Sequence, residues 1–579
     1  MSTEKRLEDG NGSVDAREAV QLADEQLLAQ LGYKQEFQRA FSPLECFGIA
    51  FSIIGLLPSI ASVMFNSIPN GGPAAMVWGW AVASVFILFV GMAMAELGSA
   101  APTSGGLYFW TYSLSSPRWR NLLCWIVGYA NTIGSIAALA SIDWGCAVQI
   151  LAAASIGTDE SYSPSDAQTL GVYAAVVLSH AVLCGLATPV LARLQTVYVV
   201  LNVVWVSHQY TLVSQSFSIN LIPPTRLCFA IIIALPIATP SEFKNTASYA
   251  LGDFTNMNGW PNGYAFILSF LAPLWTIGSF DSAVHISEEA SNAATAVPWA
   301  IINAVGIAGI LGTAINISLA FCMGTDLDAI VNSPIGQPMA TIFFNSFGEK
   351  ATLGVWSIVV LVQYMMGSSM LLAASRQTFA FARDGALPFS SWLYRMNSYT
   401  KTPVNTVWFV AGCSILLGLL ALAGETAISA VFSISITASY VAYAIPIAAR
   451  FLGDNDFKPG PFSLGVFSLP VGIVAVLFMF FMVIVFLFPT TPQTDAPDMN
   501  YTVVVMGGVL FLSIVWYYLP VYGGVHWFTG PISNIGDGVG ENKLERISGD
   551  SSSGLGSGPT AEKDVVKDDK LAAEVESYS

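Results

Sequence analysis

Long apolar segments alternate with short polar loops along residues 44–522. A helix rises 1.5 Å per residue, so about 20 apolar residues cross a hydrocarbon core roughly 30 Å thick. The pattern therefore predicts an all-α polytopic membrane protein with 12 transmembrane helices. The spans lie near residues 44–65, 74–97, 121–152, 168–189, 194–239, 264–287, 298–322, 351–379, 404–423, 428–449, 466–489 and 501–522.

Lysine and arginine are divided unevenly between the two sets of loops. One set carries Arg118, Arg120, Arg193, Arg376, Arg383, Arg395, Lys401, Arg450 and Lys458. The other set carries only Lys244 and Lys350, among several acidic residues. Because cytoplasmic loops are enriched in Lys and Arg, the first set is predicted to be cytoplasmic, together with both termini.

The two ends of the chain are polar. Residues 1–40 and 528–579 are predicted to be cytoplasmic disordered tails, apart from a short amphipathic piece at 22–31. The first forty residues show no apolar core of a cleavable signal peptide. Both tails contain serines, and the second contains Lys543, Lys563, Lys567 and Lys570. A ubiquitin ligase or a kinase acting on these tails is a further expectation, based on composition alone.

Composition agrees with a membrane protein and argues against other classes. The chain is 54% hydrophobic and only 10% charged, with a mean hydropathy of +0.61, whereas soluble domains carry roughly 25% charged residues. The net charge of −16 lies mostly in the tails and the non-cytoplasmic loops, and it does not point to nucleic acid. The seven cysteines lie in or beside apolar segments without a Cys-x-x-Cys spacing, so we expect no disulfide framework, metal site or cofactor.

The sixth span changes character part-way through. Leu271–Pro298 reads LAPLWTIGSFDSAVHISEEASNAATAVP, with Thr276, Gly278 and Ser279 ending the apolar run before Asp281. An acid within a span costs about 2.5–3.5 kcal/mol on insertion scales, and a broken helix frees backbone groups that must bind something. The stretch indicates half of a solute site near the bilayer midplane. The alternative is a helix that kinks at Gly278 and ends in water at Asp281.

The first span carries a similar interruption. From Gly48 it reads GIAFSIIGLLPSIASV, in which Pro58 removes a backbone hydrogen bond. An ordinary proline-kinked span is the alternative, since glycine and proline are common in membrane helices. Interruptions in the first members of two sets of five spans favour an inverted-repeat transporter with its site at the breaks.

Three further stretches carry a family resemblance. They are ELGSAAPTSGGLY at Glu96–Tyr108, FDSAVHISEEASNAATAVP at Phe280–Pro298 and SRQTFAFARDGALP at Ser375–Pro388. In this order and at these spans they resemble the amino acid–polyamine–organocation superfamily. Within it the chain looks most like the fungal amino acid/choline transporter family, which includes GABA and choline permeases. The resemblance covers roughly residues 40 to 525.

The resemblance implies a 5+5 inverted-repeat, leucine-transporter-like fold with broken helices 1 and 6. The two five-helix repeats would occupy residues 41–240 and 241–450, with helices 11 and 12 at 451–527. Helix N-termini at the breaks would offer N–H groups to a substrate carboxylate. The implied substrate-binding residues are Ser52, Ile53, Ile54, Gly55, Leu56, Trp275, Thr276, Ile277, Gly278, Ser279 and Asp281.

Two residues of the sixth span match functional positions in relatives. Trp275 matches an aromatic residue that closes over the substrate in related exchangers, where packing is the alternative role. Asp281 matches a glutamate linked to proton sensing. It would bind the substrate amine or the coupling proton, and capping the second half-helix is the alternative.

Three more acids are candidates for proton coupling or gating. Asp143 lies within span three, where an acid is by default a functional hypothesis, and a position near the outer water boundary is the alternative. Glu288 and Glu289, with His285, follow Asp281. They would form an inner gate with Arg193 or Arg376, or simply a solvated helix end.

Four other polar residues have mainly structural expectations. Ser368 and Ser369 match hydroxyls that hold sodium in sodium-coupled relatives, although helix packing is favoured. Glu96 is expected to form an ion pair at the inner face, and His180 to be a hydrogen-bonded packing residue. Span five lacks the lysine that some proton-coupled relatives have there, which favours Asp281 and Asp143 as the proton-coupling residues.

Residues 206–226 (VSHQYTLVSQSFSINLIPPTR) interrupt the fifth span with polar sequence. Removing them joins two apolar halves into one span of normal length. We interpret the stretch as a suspect insert, a retained intron in the gene, and a genuine re-entrant insertion is the alternative. Sequencing the transcript distinguishes the two, because an mRNA that keeps these codons contradicts the intron.

The sequence as a whole predicts a secondary active transporter rather than an enzyme. It would import a small amino-containing solute (an amino acid, GABA or choline) across the plasma membrane, by proton symport with alternating access. The expected partners are the solute, the proton and the lipid bilayer. A non-transporting nutrient sensor of the same fold is the alternative. The choice between GABA, choline, a polyamine and another amino acid stays open.

Overall fold

The computed structural model describes residues 19–37, 39–186, 226–492 and 500–533, and helices dominate them. The main helices are α1 (19–30), α2 (Pro43–Ile54), α3 (Leu56–Ser67), α4 (Trp80–Ala100), α5 (Gly106–Leu114), α6 (Arg120–Gly157), α7 (Asp166–Cys184), α8 (Arg226–Ala238), α9 (Asn262–Leu268), α10 (Leu271–Thr276), α11 (Ser282–His285), α12 (Ala293–Cys322), α13 (Glu349–Arg383), α14 (Val404–Gly418), α15 (Glu425–Leu452), α16 (Ser468–Leu487) and α17 (Tyr501–Tyr518).

Shorter helical pieces connect the main helices. A short helix and a π-helical turn precede α4, at Gly72–Ala74 and Ala75–Gly79. The other short α-helices are Ala247–Gly252, Leu327–Val331, Pro338–Phe347 and Ser390–Leu393. The 3₁₀ turns are Ser241–Phe243, Ser287–Glu289, Leu419–Ala423, Gly465–Phe467 and Gly524–His526.

Ten stretches of the described chain are long and apolar enough to cross a membrane. They are Pro43–Ser67, Gly72–Ala100, Arg120–Gly157, Asp166–Cys184, Ala293–Cys322, Glu349–Arg383, Val404–Ala423, Ala427–Leu452, Gly465–Leu487 and Tyr501–Tyr518. These match predicted spans one to four and seven to twelve, so the all-α polytopic prediction is confirmed. The division into two inverted repeats stays a prediction.

The two remaining predicted spans differ from the other ten. The sixth consists of the short helices α9, α10 and α11. The fifth, near 194–239, lies mostly outside the described residues, which resume with α8. The suspect insert at 206–226 lies outside them as well, except for its last residue, Arg226.

The first span is broken at Gly55. Ser42 caps the start of α2 in a capping box with Glu45. The helix ends at Ile54, and Gly55 adopts φ +42° before α3 begins. A Cβ at Gly55 would lie 2.7 Å from the Met366 sulfur of α13. Only glycine combines this left-handed backbone with such a close approach, and the predicted break is confirmed.

The sixth span is broken between α10 and α11. α10 ends at Thr276, Ser279 adopts a left-handed φ of +55°, and α11 begins at Ser282. Gly278 lies against the carbonyls of Leu274 and Trp275, which a Cβ would approach to 3.0 and 3.1 Å. The predicted broken helix is confirmed. A simple kink ending in water is wrong, because Asp281 is only 5% exposed.

The 38-residue helix α6 packs against α13 and α15. Glycines allow close approach on several sides of it. Gly128 faces the Phe381 ring of α13, Gly134 faces Ser439 of α15, and Gly145 faces Ser62 of α3. Small residues at such contacts let helix backbones come together in a bilayer. Helix α6 thereby connects the elements that surround the two helix breaks.

Residues 19–37 depart from the disordered tail predicted for 1–40. α1 covers the amphipathic piece, and Leu28, Tyr33 and Phe37 are buried against the helices. Phe41 then pairs with Ala290 in an isolated parallel β-bridge. The polar composition concealed this segment, because a few apolar side chains are sufficient to dock it. Residues 1–18 lie outside the described part.

The start of the predicted C-terminal tail also packs on the helices. The rings of Trp527 and Phe528 lie 5.7 and 5.1 Å from the Trp125 ring of α6. This aromatic cluster explains why the packed chain continues beyond residue 527. Residues 534–579, with the four tail lysines, lie outside the described residues.

Candidate functional site

A narrow cavity lies where the breaks of the first and sixth spans meet. Residues of spans one, three, six, eight and ten line it: Ile53, Ala138, Ile142, Leu274, Trp275, Gly278, Ser279, Met366, Ser435, Ile436, Ser439, Tyr440 and Tyr443. No lysine or arginine is among these residues. The walls combine aliphatic, aromatic and hydroxyl side chains, and the charged side chains nearby lie beyond them.

Four of the predicted substrate-binding residues line the cavity: Ile53, Trp275, Gly278 and Ser279. The other predicted residues are buried in the same two breaks: Ser52, Ile54, Gly55, Leu56, Thr276, Ile277 and Asp281. Ser52 and Ile53 belong to the last turn of α2. The N–H groups without an intrahelical partner are instead those at the start of α3, Leu56 and Leu57.

One wall of the cavity was missed by the sequence reasoning. Ser435, Ser439, Tyr440 and Tyr443 all project from α15 in the tenth span. Ser435, Ser439 and Tyr443 recur every four residues, and Tyr440 lies three residues before Tyr443, so they share one side of the helix. Polar side chains at this spacing in an otherwise apolar span were the available signal.

Trp275 is fixed at both ends of its side chain. Its indole nitrogen donates a hydrogen bond to the Ser141 hydroxyl of α6, at 2.9 Å. Its ring lies 5.0 Å from the Phe432 ring of α15. The indole is 6% exposed and faces the cavity. Trp275 therefore joins the sixth span to both the third and the tenth spans. A side chain that only packed against one neighbour would not need both contacts.

Asp281 lies beside the cavity in a buried polar cluster. Its carboxylate lies 3.2 Å from Nε2 of His285, which also lies 3.0 Å from the Asn131 amide. Asp281 makes no capping hydrogen bond to α11. Since Nδ1 of His285 is 2.9 Å from the Ser104 carbonyl, that nitrogen donates. Nε2 therefore faces both the Asp281 carboxylate and the Asn131 amide.

The predicted inner gate is a layer of buried ion pairs. Glu289 accepts from Nε of Arg376 at 2.7 Å, and Glu288 lies 3.4 Å from the Arg383 guanidinium. Both glutamate side chains have no exposed surface, so the solvated helix end is wrong. The predicted pairing with Arg376 is present, and Arg193 lies outside the described residues.

The N-terminal segment covers this layer. The guanidinium of Arg383 lies 4.0 Å from the Tyr33 ring centroid, and that of Arg376 lies 5.7 Å from the Phe37 ring. Gln35 donates to the Glu288 carbonyl at 2.8 Å. Cation–π contacts of buried arginines are worth up to about 2 kcal/mol each. The residues of the predicted gate are thus held by ion pairs and by aromatic side chains stacked on them.

Asp384 joins three separate parts of the chain just after α13. Its carboxylate accepts from the hydroxyls of Tyr108 and Tyr33, at 2.7 and 3.3 Å, and from the Ile532 backbone N–H at 3.1 Å. Burial raises its pKa to about 6, although Arg383 and these donors oppose the shift. The group therefore titrates within the range of cytoplasmic and endosomal pH.

Asp143 does not line the cavity. Its carboxylate lies 3.1 Å from Nδ1 of His180 in α7, and neither side chain has exposed surface. The pair is therefore enclosed by protein, and the position of Asp143 relative to the outer water boundary stays a prediction. His180 is hydrogen-bonded as expected, but its partner is an acid, which the sequence reasoning did not connect to it.

The remaining predicted residues make structural contacts. Glu96 pairs with Arg450, with a second contact at 3.0 Å, and so confirms the expected ion pair. The Ser52 and Ser369 hydroxyls lie 3.4 Å apart across α2 and α13. The Ser368 carbonyl accepts from the Cys184 thiol. A sodium role for the two serines of α13 stays a prediction.

A comparison with known families explains this arrangement. The amino acid permease family matches residues 41–510, which include both helix breaks and the gate. The chain belongs to the amino acid permease family. It is a multi-pass membrane transporter rather than an enzyme.

Similar proteins occur in fungi and plants. An uncharacterized amino-acid permease of Schizosaccharomyces pombe is 39% identical over 92% of both chains. The GABA-specific permease of Saccharomyces cerevisiae is 37% identical over 92% of this chain and 90% of its own. An amino-acid permease of Arabidopsis thaliana is 33% identical over 88% and 96%, respectively. The permease therefore aligns with these relatives over nearly its whole length.

Proposed function

We propose that this permease imports a small amino-containing solute across the plasma membrane by proton symport with alternating access. The observation that carries the proposal is the position of the cavity. It lies between the breaks of spans one and six, behind the fixed indole of Trp275 and before the buried gate of Glu288 and Glu289. Broken helices at such a site are a general device of secondary transporters.

The walls of the cavity favour a zwitterion or an organic cation. The N-terminus of α3 offers N–H groups and a partial positive charge to a carboxylate. Trp275, Tyr440 and Tyr443 offer aromatic faces to an ammonium group, and Asp281 lies nearby. GABA combines both ends, and the GABA-specific relative makes it the first candidate. Choline, a polyamine or another amino acid are the other candidates.

Alternating access requires both ends of the cavity to open in turn. On the outer side, the contacts of Trp275 with Ser141 and Phe432 would have to separate. On the predicted cytoplasmic side, the pairs Glu288–Arg383 and Glu289–Arg376 would have to part. In this account both termini are cytoplasmic, the two repeats span 41–240 and 241–450, and Asp281 and Asp143 are the candidate proton carriers.

Uptake in a permease-deficient yeast strain tests the proposal. We would compare labelled GABA, choline, putrescine and a set of amino acids at pH 5 and pH 7.5, with and without codons 206–226. Saturable uptake of one solute, faster at pH 5 and abolished by a protonophore, is the expected result. Correctly localised protein that moves none of them would contradict transport and favour the sensor. Empty-vector cells provide the background.

A further inference from the structure

The permease contains a second buried acid–imidazole pair, Asp143 with His180, away from the Asp281 cluster. Oδ2 of Asp143 contacts Nδ1 of His180. Oδ1 of Asp143 and Nε2 of His180 have no hydrogen-bond partner within the described chain. Buried polar atoms are nearly always paired, so two open valences on one fully buried pair require an explanation. A single hydrogen bond satisfies only one carboxylate oxygen of Asp143 and one ring nitrogen of His180.

Charge balance indicates what the pair requires. An ionised carboxylate beside a neutral imidazole leaves one net negative charge in a dry interior, which is costly. One added proton makes the pair neutral, whichever of the two groups holds it. The described chain provides no lysine or arginine ion pair to either residue. The dry, closed arrangement therefore fits the protonated pair.

Within the described chain, no cation is in place to neutralise the pair, which leaves the proton. The titratable side chains of the described chain that feel the charge of Asp143 include Cys146, Tyr173, Cys184 and Tyr364. Thiols and phenols of this kind are neutral near pH 7. α14, which packs on α7, has no charged residue over Val404–Gly418 and contributes only the thiol of Cys413. Arg376, the cation coupled to Cys184, is already paired with Glu289.

The pair lies directly behind the cavity wall. On α6, Ser141 holds Trp275, Ile142 lines the cavity, and Asp143 follows. On α13, Met366 lines the cavity, and the next residue, Gly367, contacts the pair. A Cβ at Gly367 would lie only 1.9 Å from Oδ1 of Asp143. A change of hydration at the pair must therefore move the two helices that form the cavity wall.

We propose that the Asp143–His180 pair binds the coupling proton, an inference that rests on the proton symport proposed above. External water delivers one proton to the carboxylate–imidazole pair when the outer side is open. The neutral pair is then buried, and α6 closes against α13 behind the bound solute. When the inner side opens, water accepts the same proton. Without the added proton the pair carries one net negative charge and stays hydrated. The cavity that holds the solute therefore closes only when the pair has bound its proton.

Proteoliposomes with labelled GABA separate coupling from binding. Asp143→Asn is expected to retain exchange of GABA across the membrane at equal pH but to lose accumulation driven by an inward proton gradient. His180→Gln keeps a donor for Asp143 and is expected to accumulate GABA, with its pH midpoint shifted by about one unit. Asp166→Asn, which removes an exposed acid at the start of α7, is the matched control and should behave as wild type.

Each other outcome contradicts the proposal. Wild-type accumulation in Asp143→Asn, or loss of exchange together with accumulation in folded protein, assigns the pair a structural role. If Asp143→Asn does not fold, an unchanged pH midpoint of GABA accumulation in His180→Gln contradicts the proposal. Loss of coupling in Asp281→Asn alone would place the proton there. Wild-type protein that exchanges GABA without any gradient dependence would overturn proton symport itself, and this inference with it.

Discussion

At the scale of single residues, the site depends on side chains held from more than one helix. Trp275 is the clearest case, because its nitrogen, its ring and its exposed edge contact α6, α15 and the cavity. Fixing an indole in this way orders it before the solute arrives. Pre-organised contacts lower the entropic cost of binding. The ring should therefore contribute directly to affinity.

Trp275→Ala is expected to raise the KM for the transported solute by roughly 2- to 30-fold, since a cation–π contact is worth about 0.5–2 kcal/mol. Concentration-dependent uptake measures this change. Trp408→Ala is the matched control, because Trp408 is 44% exposed on α14 and lies away from the cavity. A KM that Trp275→Ala leaves at the control value would show that the indole only packs.

Asp384 predicts a pH effect on stability. Its native pKa of about 6 exceeds the ordinary aspartate value of 3.8, so between those values the folded protein binds a proton that the unfolded chain lacks. Its contribution to stability is complete below pH 3.8 and is lost as the pH rises through about 6. In detergent, the unfolding temperature of Asp384→Asn should rise less between pH 7.5 and pH 5 than that of the wild type. The same change of unfolding temperature with pH in both proteins would contradict a raised pKa for Asp384.

At the scale of elements, two chain breaks create the cavity. Gly55 and Ser279 both adopt left-handed backbone angles, so spans one and six each divide into short helices. Every long helix around them is continuous enough to span a bilayer. The breaks are thus local departures within a regular bundle, placed where helix ends face a common space.

Gly55→Ala tests the break in span one. The substitution places a Cβ in a left-handed conformation, which costs roughly 1–2 kcal/mol, and directs it at the Met366 sulfur. We expect a lower unfolding temperature and reduced uptake. Gly412→Ala in α14, where a Cβ meets no atom within 4 Å, should be neutral or slightly stabilising. Equal behaviour of the two variants would show that the break tolerates side chains.

The sequence predicted the elements better than the contacts between them. The breaks were visible because Gly278 and Asp281 interrupt an apolar run, and a periodic apolar pattern is a local signal. The cluster around Asp281 was only partly predictable: its partner His285 is four residues away, but Asn131 and Ser104, which contact His285, belong to other parts of the chain. The docking of Tyr33 was missed for the same reason. Long-range contacts leave no periodic trace in a single sequence.

At the scale of the whole molecule, the predicted cytoplasmic end is closed by the N-terminal segment. Tyr33, Gln35 and Phe37 contact Arg383, Glu288 and Arg376, respectively. Arg383, Glu288 and Arg376 belong to the buried ion pairs of the predicted gate. Opening the cavity to this side therefore requires the segment to move or to loosen.

Deletion of residues 1–37 is expected to increase inward opening. Its measurement is the labelling rate of a thiol introduced by Ser282→Cys, a position with 1% exposure below the cavity, with a water-soluble maleimide. The parent protein corrects for the native cysteines. Deletion of 1–18, which keeps every described contact, is the control and should label at the full-length rate. Slow labelling of both deletions would show that the ion pairs close the gate alone.

Proton-coupled transport is tested most directly by GABA uptake by the purified permease in liposomes, with and without an inward proton gradient. Proton symport predicts saturable uptake that accumulates GABA above the external concentration only when the gradient is present, together with internal acidification. Uptake that reaches the same level with and without the gradient would contradict proton symport. No saturable uptake of GABA or of the other candidate solutes would contradict the proposed transport function.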